Sequence, residues 1–179
     1  LAPLRESPLM GELFVKFGSN PILGIIVGAG VTAALQSSSA SVGILQALTL
    51  TGTVTYATAI PIVMGQNIGT CVSAMISSIG ASKNAKRAAV IHLSFNLISA
   101  VVWLTVYYVL ETIIGFAFVS SAASPLGIAV VHTVFKLLAL ALLMPFSKQL
   151  EKFSYVIIKK DDSEIEKTEL LDERLLSTP

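Results

Sequence analysis

The run Gln36-Ser37-Ser38-Ser39 sets an amide and three hydroxyls between two uncharged arms, residues 22–35 and 42–50. A second polar group, Gln66, Asn67, Thr70 and Ser73, falls in an otherwise apolar stretch farther along. Amide carbonyls, hydroxyls and unwound backbone carbonyls are hard oxygen ligands that hold a sodium ion without placing a fixed charge in apolar surroundings. Serine hydroxyls and the free N–H groups of a half-helix are donors, which suit an oxyanion. The two groups can therefore serve a cation, an anion or both.

The surroundings of these residues read as membrane. The chain is 54% hydrophobic and 13% charged, with a mean hydropathy of +0.78, whereas soluble domains carry about 25% charged residues. From Gly18 to Pro145 the acidic and basic residues are Lys83, Lys86, Arg87, Glu111 and Lys136, and from Lys148 onward both signs alternate. At about 1.5 Å per residue, arm 22–35 extends roughly 21 Å and arm 42–50 roughly 14 Å, both short of a hydrocarbon core of about 30 Å. Irregular backbone at membrane depth is tolerated only where protein buries it or where it lines a cavity. The pattern over 22–50 thus predicts a re-entrant hairpin broken at the polar run.

The same reading extends along the chain. Residues 1–19 form an interfacial amphipathic segment, with Leu9, Leu13 and Phe17 apolar and Arg5, Glu6, Glu12 and Lys16 elsewhere, and Asn20-Pro21 ends it. Thr51-Gly52-Thr53 is a turn. Pro61, Gly65 and Gly69 predict that the span 56–80 is broken in its middle, with the glycines letting backbone approach a ligand. Residues 88–110 and 125–146 are transmembrane helices, the first with Trp103, Tyr107 and Tyr108 near one end and the second opened by Pro125. Lys83, Lys86 and Arg87 on one side, and Lys148, Lys152, Lys159 and Lys160 on the other, flank these two spans, whereas connection 111–124 has no basic residue. By the positive-inside rule loop 80–87 and the charged tail 148–179 are cytoplasmic, in a multi-pass membrane protein. The chain starts at Leu1 without an initiator methionine or signal-peptide pattern and is read as a fragment.

Other chemistries find little support. A net charge of +1, with no basic stripe interleaved with aromatics, excludes nucleic acid as a partner. The single cysteine, Cys71, cannot form an intrachain disulfide or a Cys/His metal site. With no nucleophile–base pair, metal motif or phosphate loop, the chain is not read as an enzyme. Plainer roles stand beside the functional ones. Serine and threonine in membrane helices often bond their own backbone, Asn67 can cap a half-helix, and glycine pairs can serve close helix packing. His92 and His132 fit neutral interhelical hydrogen bonding better than a proton relay. Lys136 can snorkel, pair with Glu111 or face a wet cavity.

The stretches TAALQSSSASVGILQAL, AIPIVMGQNIGTCVSA and AKRAAVIHLSFN together resemble the type II sodium/phosphate cotransporter family in its bacterial form. The likeness covers residues 20–147 and rests on Q-S-S-S and G-x-N-I-G-T, in that order and at that separation. It implies an all-α integral membrane protein, this chain being the second half of an inverted-repeat secondary transporter with a re-entrant hairpin and broken helices. It further implies Gln36, Ser37, Gln66, Asn67, Thr70 and Ser73 on sodium and Ser37, Ser38 and Ser39 on phosphate. Ser73 stands where eukaryotic members tend to have threonine, and Gln66 where they have serine or alanine. The implied partners are inorganic phosphate, sodium as coupling ion, the lipid bilayer, a missing first repeat, and a PhoU-like domain to which 148–179 is similar to the linker. Sodium-coupled phosphate symport is the function so implied. A symporter for another oxyanion or organic anion, or a non-transporting phosphate sensor, is the alternative.

Overall fold

The computed structural model describes residues 20–159 together with Glu12 and Lys16. The rest of the interfacial segment predicted over 1–19, and the linker from Lys160 on, lie outside the described residues. Within residues 20–159 six α-helices follow in order: α1 (Pro21–Leu35), α2 (Ser38–Thr49), α3 (Tyr56–Ser77), α4 (Lys83–Ile114), α5 (Pro125–Leu143) and α6 (Ser147–Ile157). Short 3-10 turns occupy Ala117–Ser120 and Met144–Phe146. Among the described residues β-pairing is limited to an isolated antiparallel bridge between Thr55 and Ala122.

Local chemistry starts most of these helices. Asn20 accepts from the N–H groups of Ile22 and Leu23, with Pro21 in the first turn of α1. Ser37, Ser82 and Ser124 cap α2, α4 and α5 in the same way, through Ala40, Ala85 and Gly127. Each cap satisfies an N–H that the first turn leaves without a helical partner. Thr55 gives α3 no such bond; the Tyr56 N–H donates instead to the Ser121 carbonyl.

The expected break in span 56–80 is absent: α3 runs unbroken through Pro61 and Gly65–Thr70. Tertiary packing overrides the weak local propensity. A Cβ on Gly65 would collide with the Ile25 carbonyl, one on Gly28 with the Ile62 carbonyl, and one on Gly69 would lie 2.7 Å from Thr32 Cβ. Gly24 and Gly28 on α1, and Gly65 and Gly69 on α3, are each four residues apart, so the two backbones meet along facing glycine stripes. The glycines admit a helix rather than a ligand. Pro61 packs against Gly24 in the same seam.

Around α3 the chain forms two apolar clusters. One joins Ile44 and Leu45 of α2, Ala59, Ile62 and Val63 of α3, and Ile128 of α5. The other joins Ile60 and Met64 of α3, Ala100 of α4 and Phe135 of α5. In the most apolar stretch of each helix, 61% of residues are buried in α3 but 11% in α4, which makes α3 the central element and turns α4 outward. Among the described residues three stretches are long and apolar enough to cross a membrane: α3, α4, and Pro125–Ile157 through α5 and α6. Helix α1, with 15 residues, is shorter.

Helix α6 returns to the start of α4. Arg87 is 5% exposed; its Nε donates to the Ile158 carbonyl at 3.1 Å, its Nη1 to Asn84 Oδ1 at 2.7 Å, and its guanidinium lies 4.3 Å over the Tyr155 ring. The two basic segments predicted to share one side of the membrane are thus in contact.

Candidate functional site

The chain reverses at Gln36-Ser37. Gln36 is the one non-glycine residue with positive φ among those described, at 50°, and its N–H closes α1 on the Thr32 carbonyl at 2.8 Å. A left-handed residue other than glycine costs roughly 1–2 kcal/mol, and such conformations gather at functional turns. Ser37 is extended, and its Oγ accepts from the Ala40 N–H at 3.3 Å and lies 3.3 Å from Ser39 Oγ. Ser38 and Ser39 therefore sit in the first turn of α2, where N–H groups point outward with the positive end of the helix dipole.

Buried polar bonds tie this turn to α3. Thr32 Oγ1 donates to Ser41 Oγ at 2.7 Å across the reversal. Gln66 Nε2 donates to the Ser41 carbonyl at 3.0 Å. Residues 22–50 thus form a helical hairpin whose two arms are joined one turn from the tip and then pinned to α3. Neither Thr32 nor Ser41 is among the candidate ligands, although a threonine four residues before Gln36 and a serine four after Ser37 are the signal.

The second polar group lies on continuous helix. Asn67 does not cap a half-helix: its Nδ2 donates to the Val63 carbonyl at 2.8 Å, one turn back. Thr70 Oγ1 donates to the Asn67 carbonyl at 2.6 Å, which leaves its lone pairs as acceptors. Gln66 and Asn67 are each 1% exposed, and Gln66 Oε1 and Asn67 Oδ1 are buried without any hydrogen-bond partner. A buried carbonyl oxygen without a donor costs about 1–3 kcal/mol. Two in adjacent residues are of the type that binds a hard cation.

Among the described residues no hydrogen bond links Gln36, Ser37, Ser38 or Ser39 directly to Gln66, Asn67, Thr70 or Ser73; Ser41 is the intermediary. Helices α1 and α3 run parallel, Gly24 meeting Pro61 and Ile62, and Thr32 meeting Gly69. Ser73 lies one helical turn beyond Gly69 on α3. Cys71 points elsewhere: its Sγ donates to the His92 carbonyl at 3.5 Å and receives Asn96 Nδ2 at 3.3 Å, in the seam with α4.

Among the described residues, three stretches able to cross a membrane and a helical hairpin pinned to the central helix by the buried Gln66 amide define an all-helical membrane protein. Residues 7–144 match the Na+/Pi-cotransporter family model, and the chain belongs to that family. It is 40% identical over 109 residues to sodium-dependent phosphate transport protein 2A of Rattus norvegicus, covering 56% of this chain and 17% of that protein. It is 39% identical over 94 residues to sodium-dependent phosphate transport protein 2B of Homo sapiens, covering 49% of this chain and 14% of that protein. The putative inorganic phosphate export protein YjbB of Escherichia coli is 25% identical over 183 residues, covering 100% of this chain and 33% of that protein. The chain thus spans a third or less of the length of these three relatives. No solved structure matches it.

Proposed function

We propose that this chain supplies one half of the sodium and phosphate site of a sodium-coupled transporter of inorganic phosphate in the plasma membrane. The observation that carries the reading is the pair of buried, unpartnered carbonyl oxygens of Gln66 and Asn67, beside a hairpin tip rich in donors. Sodium takes Gln66 and Asn67, with Thr70, Ser73, Gln36 and the Ser37 hydroxyl as further oxygens. Phosphate takes Ser37, Ser38 and Ser39 at the start of α2, where hydroxyls and free N–H groups converge.

Coupling follows from electrostatics. A divalent anion is costly in low dielectric, and sodium ions bound beside it offset that cost, so each ion improves the site for the other. Hairpin 22–50 is re-entrant, a first inverted repeat completes the site, and loop 80–87 and the tail face the cytoplasm toward a PhoU-like domain. The match of YjbB over the whole chain favours a second reading for direction, outward rather than inward movement. Vesicles carrying the full-length protein test the function: a sodium gradient should drive accumulation of radiolabelled phosphate, unaffected by excess sulfate. Binding without accumulation would make the protein a sensor, and competition by sulfate would make it a carrier of another oxyanion.

A further inference from the structure

Helices α1 and α3 form one packed body. A Cβ on Gly28 would collide with the Ile62 carbonyl and one on Gly65 with the Ile25 carbonyl, so the two backbones touch with no side chain between them, and contacts that close transmit displacement rather than absorb it. The carbonyls proposed for sodium, those of Gln66 and Asn67, belong to this body. Ser38 and Ser39, proposed for phosphate, stand instead on the first turn of α2.

Among the described residues the hydrogen bonds that leave this first turn for another helix are both made by Ser41. Its Oγ accepts from Thr32 Oγ1 of α1 at 2.7 Å, and its carbonyl accepts from Gln66 Nε2 of α3 at 3.0 Å. Thr32, Ser41 and Gln66 are 1%, 0% and 1% exposed, so water does not compete for either bond. Thr32 is itself seated on α3, against Gly69. Ser41 is therefore the joint between the start of α2 and the body formed by α1 and α3. It also sets the direction of a free oxygen. The oxygen and nitrogen of a side-chain amide are fixed in one plane, so a shift of the Ser41 carbonyl that holds Gln66 Nε2 turns Gln66 Oε1, which is buried without a partner.

We infer that Thr32 and Ser41 are positioning residues that couple the two ions: their hydroxyl pair transmits a shift of the α2 turn, on binding an anion, into the aim of Gln66 Oε1. This rests on the sodium-coupled phosphate reading above and adds a mechanical part to its electrostatic coupling. Neither residue touches an ion. Breaking the pair leaves both ions bound and makes each less dependent on the other.

The test uses the full-length transporter in detergent, with protection by inorganic phosphate against thermal unfolding measured at low and at saturating sodium, so that turnover is not required. The half-protecting phosphate concentration at low sodium, divided by that at saturating sodium, reads the coupling. In Thr32→Val, which keeps the shape of threonine and removes its donor, this ratio should fall several-fold. Ser41→Ala should lower it alike and the double variant no further, because both changes break the same bond. Thr32→Ser keeps the hydroxyl and should hold the wild-type ratio. A wild-type ratio in Thr32→Val or in Ser41→Ala overturns the inference. So does a fall in Thr32→Ser equal to that in Thr32→Val, since packing of the methyl group and not the hydroxyl would then set the ratio. The two single variants are read separately, so failure of one to fold leaves the other decisive. If the wild type itself shows no sodium-dependent protection by phosphate, the sodium-coupled reading fails, an outcome distinct from a variant that keeps the wild-type ratio.

Discussion

Gln66 and Ser41 join the two polar motifs: Gln66 Nε2 on the central helix donates to the Ser41 carbonyl on the hairpin at 3.0 Å, while Gln66 Oε1 stays buried without a partner. One side chain thus positions the hairpin with its nitrogen and carries the acceptor proposed for sodium on its oxygen. A movement of the hairpin relative to α3 must change the geometry of that oxygen, which links the place proposed for phosphate to the place proposed for sodium.

Gln66→Ala in the full-length transporter should raise the sodium concentration for half-maximal phosphate transport by about tenfold, equivalent to about 1.4 kcal/mol, within the range for losing a buried hydrogen bond and an ion ligand. Sodium titration of phosphate uptake checks it. A wild-type sodium response would remove Gln66 from the cation site.

Ser38→Ala should weaken phosphate more than sodium, because it deletes a donor in the first turn of α2 and leaves the carbonyl ligands of α3 in place. The measurement is the phosphate concentration for half-maximal transport at saturating sodium, expected to rise several-fold. An equal shift in both ions would instead point to a distorted hairpin.

Gly65→Ala should separate α1 from α3, since its Cβ meets the Ile25 backbone. Overpacking of this kind costs about 1–3 kcal/mol. Gly30→Ala is the control, with no atom within 4 Å of the added carbon. Thermal unfolding in detergent should show the first variant clearly destabilised and the second at or above the wild-type midpoint.

Cys71 is fully buried against α4. A small permeant thiol reagent should therefore modify it slowly, and Asn96→Ala, which removes the amide donating to Cys71 Sγ, should speed the reaction severalfold. Fast labelling of the wild type would place Cys71 on a water-filled path.

Arg87→Lys should release α6. Lysine cannot reproduce the planar stack over Tyr155 together with the bonds to Ile158 and Asn84. Limited proteolysis between Ser147 and Ile158 should accelerate in this variant while transmembrane helicity, followed by circular dichroism, is unchanged.

Much of this protein was legible in its residues because the membrane restricts the choices. Uncharged arms too short to span, flanking a polar run, leave few options but a reversal, and the structure reverses at Gln36-Ser37. The spans over 88–110 and 125–146 followed from hydropathy, and the helices found there start at Lys83 and Pro125 because Ser82 and Ser124 cap them. What the residues could not reveal is which partner a small or breaking residue serves. Gly65, Gly69 and Pro61 read locally as a break, yet α3 stays helical because those positions accept the backbone of α1. The tie from Thr32 through Ser41 to Gln66 likewise depends on contacts between elements distant in sequence. Periodicity and capping act within one helix, whereas close packing and the pairing of buried polar groups exist only once helices meet, so those were decided by the tertiary structure.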